Sequence, residues 1–153
     1  MKNLYNKTDF DEMVLRIKKL QANNERQWGK MNVDEMLCHV TDPFRDVLGI
    51  RHVKPRVPKM LRPFFKRLLL SDKPFRKSLP TLKPYAQRNE GTGTTPINFE
   101  NDKQQLLNIL DRFYAVGIDH EFEPHAGVGK MTGKENGLLM WKHLDHHLRQ
   151  FSA

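Results

Sequence analysis

Four stretches of the 153-residue chain carry apolar residues at helical spacing, and a long proline-rich link divides them two and two. The first runs from about Thr8 to Gln21, with Phe10, Met13, Val14, Ile17 and Leu20 on one face and Thr8 with Asp11 as a capping box. The second runs from about Asn32 to Leu48. Asn32 and Glu35 cap it, Gly49 closes it, and its stripe is Val33, Met36, Leu37, Val40, Phe44, Val47 and Leu48. The third covers about Phe99 to Val116, between Asn98 as cap and Gly117 as stop. The fourth runs from about Gly133 to Phe151, opened by a Thr132–Glu135 capping box.

The link from Ile50 to Ile97 holds seven of the nine prolines, at positions 55, 58, 63, 74, 80, 84 and 96. Its amphipathic piece Pro58 to Leu70 predicts a short helix, and residues 88–95 read as a loop. Short links join antiparallel neighbours, whereas parallel neighbours need a long crossover. The expectation is an all-α chain forming one domain over 1–153. Its architecture is a four-helix bundle in up-down-down-up order, with a basic crossover at about 50–97 between helices two and three.

Charge is concentrated in that crossover. Of 26 basic and 18 acidic residues, positions 51–88 hold twelve Lys/Arg against Asp72 alone, so the rest of the chain has 14 basic and 17 acidic residues. The high pI thus describes one segment, unlike that of a uniformly basic nucleic-acid binder. The crossover reads first as a helix whose apolar side caps the bundle while its basic side is solvated. A lid attracting anionic small molecules, a nucleic-acid patch and a membrane-surface helix are the alternatives. A single cysteine, Cys38, excludes an internal disulfide and suits a reducing compartment. Residues 1–7 lack a signal-peptide core, and no apolar run approaches the roughly 18 residues of a membrane span. The expected location is the cytoplasm.

Three of the seven histidines, His143, His146 and His147, crowd the fourth helix. His143 and His147 are one turn apart and project from one face, the geometry by which a helix offers two imidazoles to one metal ion. They flank the core-facing arc of Met140, Trp141, Leu144, Leu148 and Phe151, beside Asn136 and Gln150. His146 lies about 100° from His147, nearer solvent. On the second helix His39 sits at the edge of the apolar stripe, while Cys38 faces away. Pro43 removes the N–H that would bond the carbonyl of His39 and predicts a kink there. His39, His143 and His147 are therefore the candidate ligands of one divalent cation, Zn or Ni by imidazole preference. A bound water or thiol would be acidified there. The competing reading is a solvated, cation-favoured helix end.

The string Trp28-Gly29-Lys30-Met31-Asn32-Val33-Asp34-Glu35-Met36-Leu37-Cys38-His39 resembles the opening of DinB/YfiT-like proteins. The ending from Met131-Thr132-Gly133 through Lys142-His143-Leu144-Asp145-His146-His147-Leu148-Arg149-Gln150-Phe151 is similar to one branch of that superfamily. His125 before Gly127 and Gly129 belongs to the same likeness, with Ala126 and Val128 where relatives carry proline and an aromatic. The resemblance covers about Trp28 to Phe151 and is vague in the proline-rich middle. It implies a four-helix bundle with a metal site at His39, His143 and His147, and dimers. In some branches it implies transferase or isomerase chemistry with a low-molecular-weight thiol such as bacillithiol, mycothiol or glutathione. His125, in the glycine-rich loop before the last helix, is the candidate acid/base group. His146 reads as a surface or supporting residue, and His52 and His120 carry no signal. The functional expectation is a divalent-metal-dependent enzyme acting on a small, anionic electrophile. A non-catalytic metal- or ligand-binding module is the second reading and nucleic-acid binding through the crossover the third. The second gains from the lack of any Asp or Glu on the His143/His147 face.

Overall fold

The computed structural model describes residues 1–54, 57–77, 81–87 and 91–153. Pro55, Arg56, Pro80 and the stretch Arg88 to Glu90, named above within the crossover and its loop, lie outside the described residues. Among the described residues the chain is all-helical, with no strand and one isolated bridge between His125 and Gly129. The helices are α1 (Lys7–Lys19), α2 (Val33–Val47), α3 (Arg62–Leu69), α4 (Phe99–Val116) and α5 (Gly133–Gln150), with 3-10 turns at Lys59–Leu61 and Lys83–Tyr85.

The caps explain most of these limits. Asn32 and Glu35 bond each other's backbone N–H at 2.8 Å in both directions, and Thr132 with Glu135 repeats the arrangement at the start of α5. Asn98 caps α4 and Gly117 stops it at φ +84°. At α1 the structure corrects the sequence reading. Asn6, in extended backbone, accepts the Asp9 N–H, so the helix starts at Lys7 and not behind a Thr8 cap. Pro43 sits inside α2, which runs unbroken through it.

The main core joins α1, α2, α4 and α5. Met13, Ile17, Met36, Phe44, Leu110, Phe113, Leu144, Leu148 and Phe151 are all essentially inaccessible. Phe44 meets Phe113 edge-on at 5.1 Å, tying α2 to α4, its most extensive partner. α1 packs on α4 and α5, and α2 also packs on α5. A satellite cluster of Val128, Met131 and Leu139 takes in Leu69, Leu70 and Phe75 from the crossover. The crossover therefore wraps α2 and α5. That wrapping leaves α2 buried nearly all round, Cys38 included, although its helical position had suggested an outward face.

α3 meets the expected orientation of the crossover helix only in part. None of its residues is buried. Its basic Arg62 and Lys66 turn inward, where Arg62 donates to the Val57 carbonyl at 2.9 Å and Lys66 to the Lys130 carbonyl at 3.2 Å and pairs with Glu135 at 2.7 Å. Of its apolar residues, Leu69 packs on the satellite cluster while Phe64, Phe65 and Leu68 face water. The inward side is lined by backbone carbonyls and a carboxylate, which cations satisfy and hydrocarbon does not.

Candidate metal centre

The imidazoles of His39 on α2 and of His143 and His147 on α5 converge. One ligand nitrogen from each lies within 4.8 Å of the other two, and Nε2 of His39 is 3.0 Å from Nε2 of His143. The three rings stand edge to face, with centroids 4.6 to 4.9 Å apart. His39 and His147 are buried, while His143 is partly open and gives the cluster its access to solvent.

The hydrogen bonds behind two of the rings, His39 and His147, fix their tautomers. His39 Nδ1 is 2.7 Å from the carbonyl oxygen of Tyr85. A carbonyl only accepts, so Nδ1 carries the proton and Nε2 is left as a lone pair. His147 Nδ1 is 2.8 Å from Oε1 of Gln150. Gln150 is itself oriented, because its Nε2 donates to the Trp28 carbonyl at 2.6 Å, which only an NH2 group satisfies. His147 Nδ1 therefore donates to Oε1, and Nε2 is again the free nitrogen. Burial lowers the pKa of all three imidazoles. For His143 and His147 the neighbouring rings add to the effect, and for His39 the Tyr85 carbonyl opposes it. Neutral rings are the form a cation takes up, and in His39 and His147 the Nε2 lone pair is the one left for it.

The donor set fits such an ion. Bonds of about 2.0–2.1 Å in a tetrahedron put ligand nitrogens about 3.3–3.4 Å apart. The His39–His143 separation lies just inside that value, and the remaining separations are within 4.8 Å.

Tyr85 is held in turn by a charged network. Arg51 donates through Nε to Asp46 at 2.8 Å and through Nη2 to the Pro84 carbonyl at 2.6 Å, and its Nη1 pairs with Asp42 at 2.5 Å. Its guanidinium lies over the Tyr85 ring at 5.5 Å. Asp42, fully buried three residues beyond His39, also accepts the Thr94 N–H at 2.9 Å and hydroxyl at 2.5 Å. Burial raises the Asp46 carboxyl to about 6. The 83–85 turn is thereby clamped onto α2 with its carbonyl aimed at His39.

His125 is buried in the tight loop that Gly129 closes at φ +78°, with both backbone bonds of the His125–Gly129 bridge made. Its Nδ1 accepts the Gly127 N–H at 3.1 Å, so the neutral ring carries its proton on Nε2. Burial lowers its pKa to about 4. His146 is not on the solvent side but buried, because Trp28 and Phe75 fold against it at 5.7 and 6.0 Å. His52 and His120 are exposed.

Sequence reasoning missed the Tyr85 carbonyl, for which no residue type signals, and the Arg51–Asp42–Asp46 clamp. Rotation had placed Gln150 beside the pair, and its amide type was the available clue to its role. Two cavities of about 240 Å³ each lie elsewhere. One, between α2 and α4, is lined by Cys38, Thr41, Arg45 and Asp102; the other, by Trp141 and Lys142, borders Phe75. The histidine cluster lines neither, and the donor chemistry is the stronger indication of where function resides.

A family model described as a protein of unknown function, DUF1569, matches residues 2–153. The chain belongs to that family. No curated protein and no solved structure matches it.

Proposed function

We propose that this member of the DUF1569 family is a divalent-metal-dependent enzyme whose ion, Zn or Ni, is held by His39, His143 and His147. One observation carries the reading. His39 and His147 each donate Nδ1–H to an oriented oxygen, so lone pairs from two distant helices point at one place beside His143. Without a cation, only a proton on His143 Nε2, 3.0 Å from His39 Nε2, meets one of these lone pairs, and it cannot serve both.

Three protein ligands leave coordination positions open, as in catalytic and not closed structural sites. A bound divalent ion would supply Lewis acidity, bringing a water toward neutral pKa or holding a low-molecular-weight thiol as thiolate. The chain's own residues do the rest. Tyr85 and Gln150 fix the ring orientations of His39 and His147, Trp28 and Phe75 cover His146, and partly buried His143 marks the approach. His125 remains the candidate acid/base group. With a pKa of about 4 it is neutral near pH 7 and offers its Nε2–H as a donor to an anionic substrate. Transferase or isomerase chemistry on a small electrophile is the reaction class this reading favours. It also takes α1, α2, α4 and α5 as a DinB/YfiT-like bundle in up-down-down-up order, supported by the packing of α2 and of α1 on both α4 and α5.

A non-catalytic binding module on the same site is favoured by one observation, the absence of a carboxylate base on the His143/His147 face. Metal analysis of tag-free protein tests the shared premise. One equivalent of metal is expected, with loss of content or affinity in His39→Ala, His143→Ala and His147→Ala. Unchanged content and affinity in all three removes the site. A metal-loaded protein inert toward paired thiols and electrophiles leaves the binding module.

A further inference from the structure

The crossover helix carries the feature least consistent with an isolated soluble chain. Met60 is 87% exposed, Phe64 67%, Leu68 54%, Leu61 47% and Phe65 37%, and they form one continuous stripe at helical spacing. The inward side of α3 is fixed by Arg62 and Lys66, so the helix cannot roll over to bury the stripe without breaking three polar contacts. Contiguous exposed hydrocarbon of this kind marks a docking face.

The surroundings of the stripe identify the occupant. Lys59 and Arg67 are exposed beside it, and Lys54, Lys73, Arg76 and Lys77 are exposed in the chain on either side, with Asp72 the lone acid in the segment. A second copy meeting the same face about a two-fold axis would set these cations against themselves. An eight-residue helix about 12 Å long also offers less than the roughly 800 Å² per partner of a stable dimer. Nucleic acid answers the charge but leaves Met60 and Leu68 without an apolar environment. A bilayer surface with anionic headgroups answers both, because phenylalanine, leucine and methionine enter the acyl boundary while lysine and arginine meet the phosphates. No described helix is long and apolar enough to cross a membrane, so the contact is peripheral.

We propose that the outward face of residues 59–68, with Lys59 and Arg67 beside it and the exposed cations of the flanking chain, docks on anionic lipid surfaces. The inference is independent of the metal centre. The test is co-sedimentation of the full chain with phosphatidylcholine vesicles and with vesicles of phosphatidylcholine and phosphatidylglycerol mixed two to one. Partitioning into the mixed vesicles is expected to exceed that into the neutral ones by about tenfold or more and to fall with salt. Phe64→Glu with Leu68→Glu lowers it by at least about tenfold, with the circular dichroism and melting temperature unchanged. Leu15→Glu, at an exposed leucine of α1, leaves it as it was. Three results overturn the proposal: no sedimentation with either vesicle, equal partitioning of the double variant, or a wild-type dimer in light scattering that Phe64→Glu converts to monomer. The last assigns the face to a second copy.

Discussion

Helices α2 and α3 are both amphipathic, and the fold treats them oppositely. Thirteen residues of α2 are buried, including Glu35, His39, Asp42 and Asp46, whereas no residue of α3 is. The crossover makes the difference. It lays the 83–85 turn and the Thr94 backbone against α2, so polar groups that would face water find partners inside. Among the described residues nothing comparable covers the outward face of α3. An amphipathic pattern fixes two faces of a helix, and what the rest of the chain presents decides which face turns in.

This contrast predicts a graded set of effects. Asp42→Ala strips the buried partner from Arg51 and Thr94 and is expected to cost about 3–5 kcal/mol in urea unfolding. A loss as small as that of a surface residue would show that α2 is not held by its charged network. Gln150→Ala frees His147 to turn and is expected to weaken metal affinity about 10–100-fold in chelator competition. Arg51→Lys, which keeps the charge but not the fork that reaches both Asp46 and Pro84, shifts affinity the same way and by less.

The buried His125 sharpens the comparison through pH. Its folded pKa of about 4 lies below the ordinary 6.5, so the unfolded chain binds the extra proton. The associated stability is complete above about pH 6.5 and is lost as the pH falls toward 4, by about 2 kcal/mol at pH 5 for this group. Metal-free His125→Asn should show a correspondingly smaller drop between pH 7 and pH 5, and an unchanged drop would place the proton elsewhere. The smallest effect belongs to α3. Phe64→Ser is expected to change stability by no more than about 0.5 kcal/mol, since the ring touches solvent in the folded state already.

The three ligand candidates were legible because each sits at the rim of an apolar stripe on a capped helix, where rotation alone puts His143 and His147 together. The limits of α4 and α5 were legible from Asn98, Gly117, Thr132 and Glu135. The Tyr85 carbonyl was not, since it reaches His39 across 46 positions through a backbone atom that every residue type carries. Arg51 read as one more crossover charge, because its carboxylate partners lie on the enclosed side of α2. His146 and α3 were assigned the wrong surroundings for one reason. Both depend on where the proline-rich link folds back, and periodicity within a helix is silent on that.

The central claim is that three imidazoles share one cation. Anomalous diffraction at the metal edge from crystals grown with stoichiometric Zn or Ni tests it most directly. The account predicts a single strong peak about 2.0–2.1 Å from a nitrogen of each of His39, His143 and His147. A peak elsewhere, or none among these rings at full metal occupancy in solution, would contradict it.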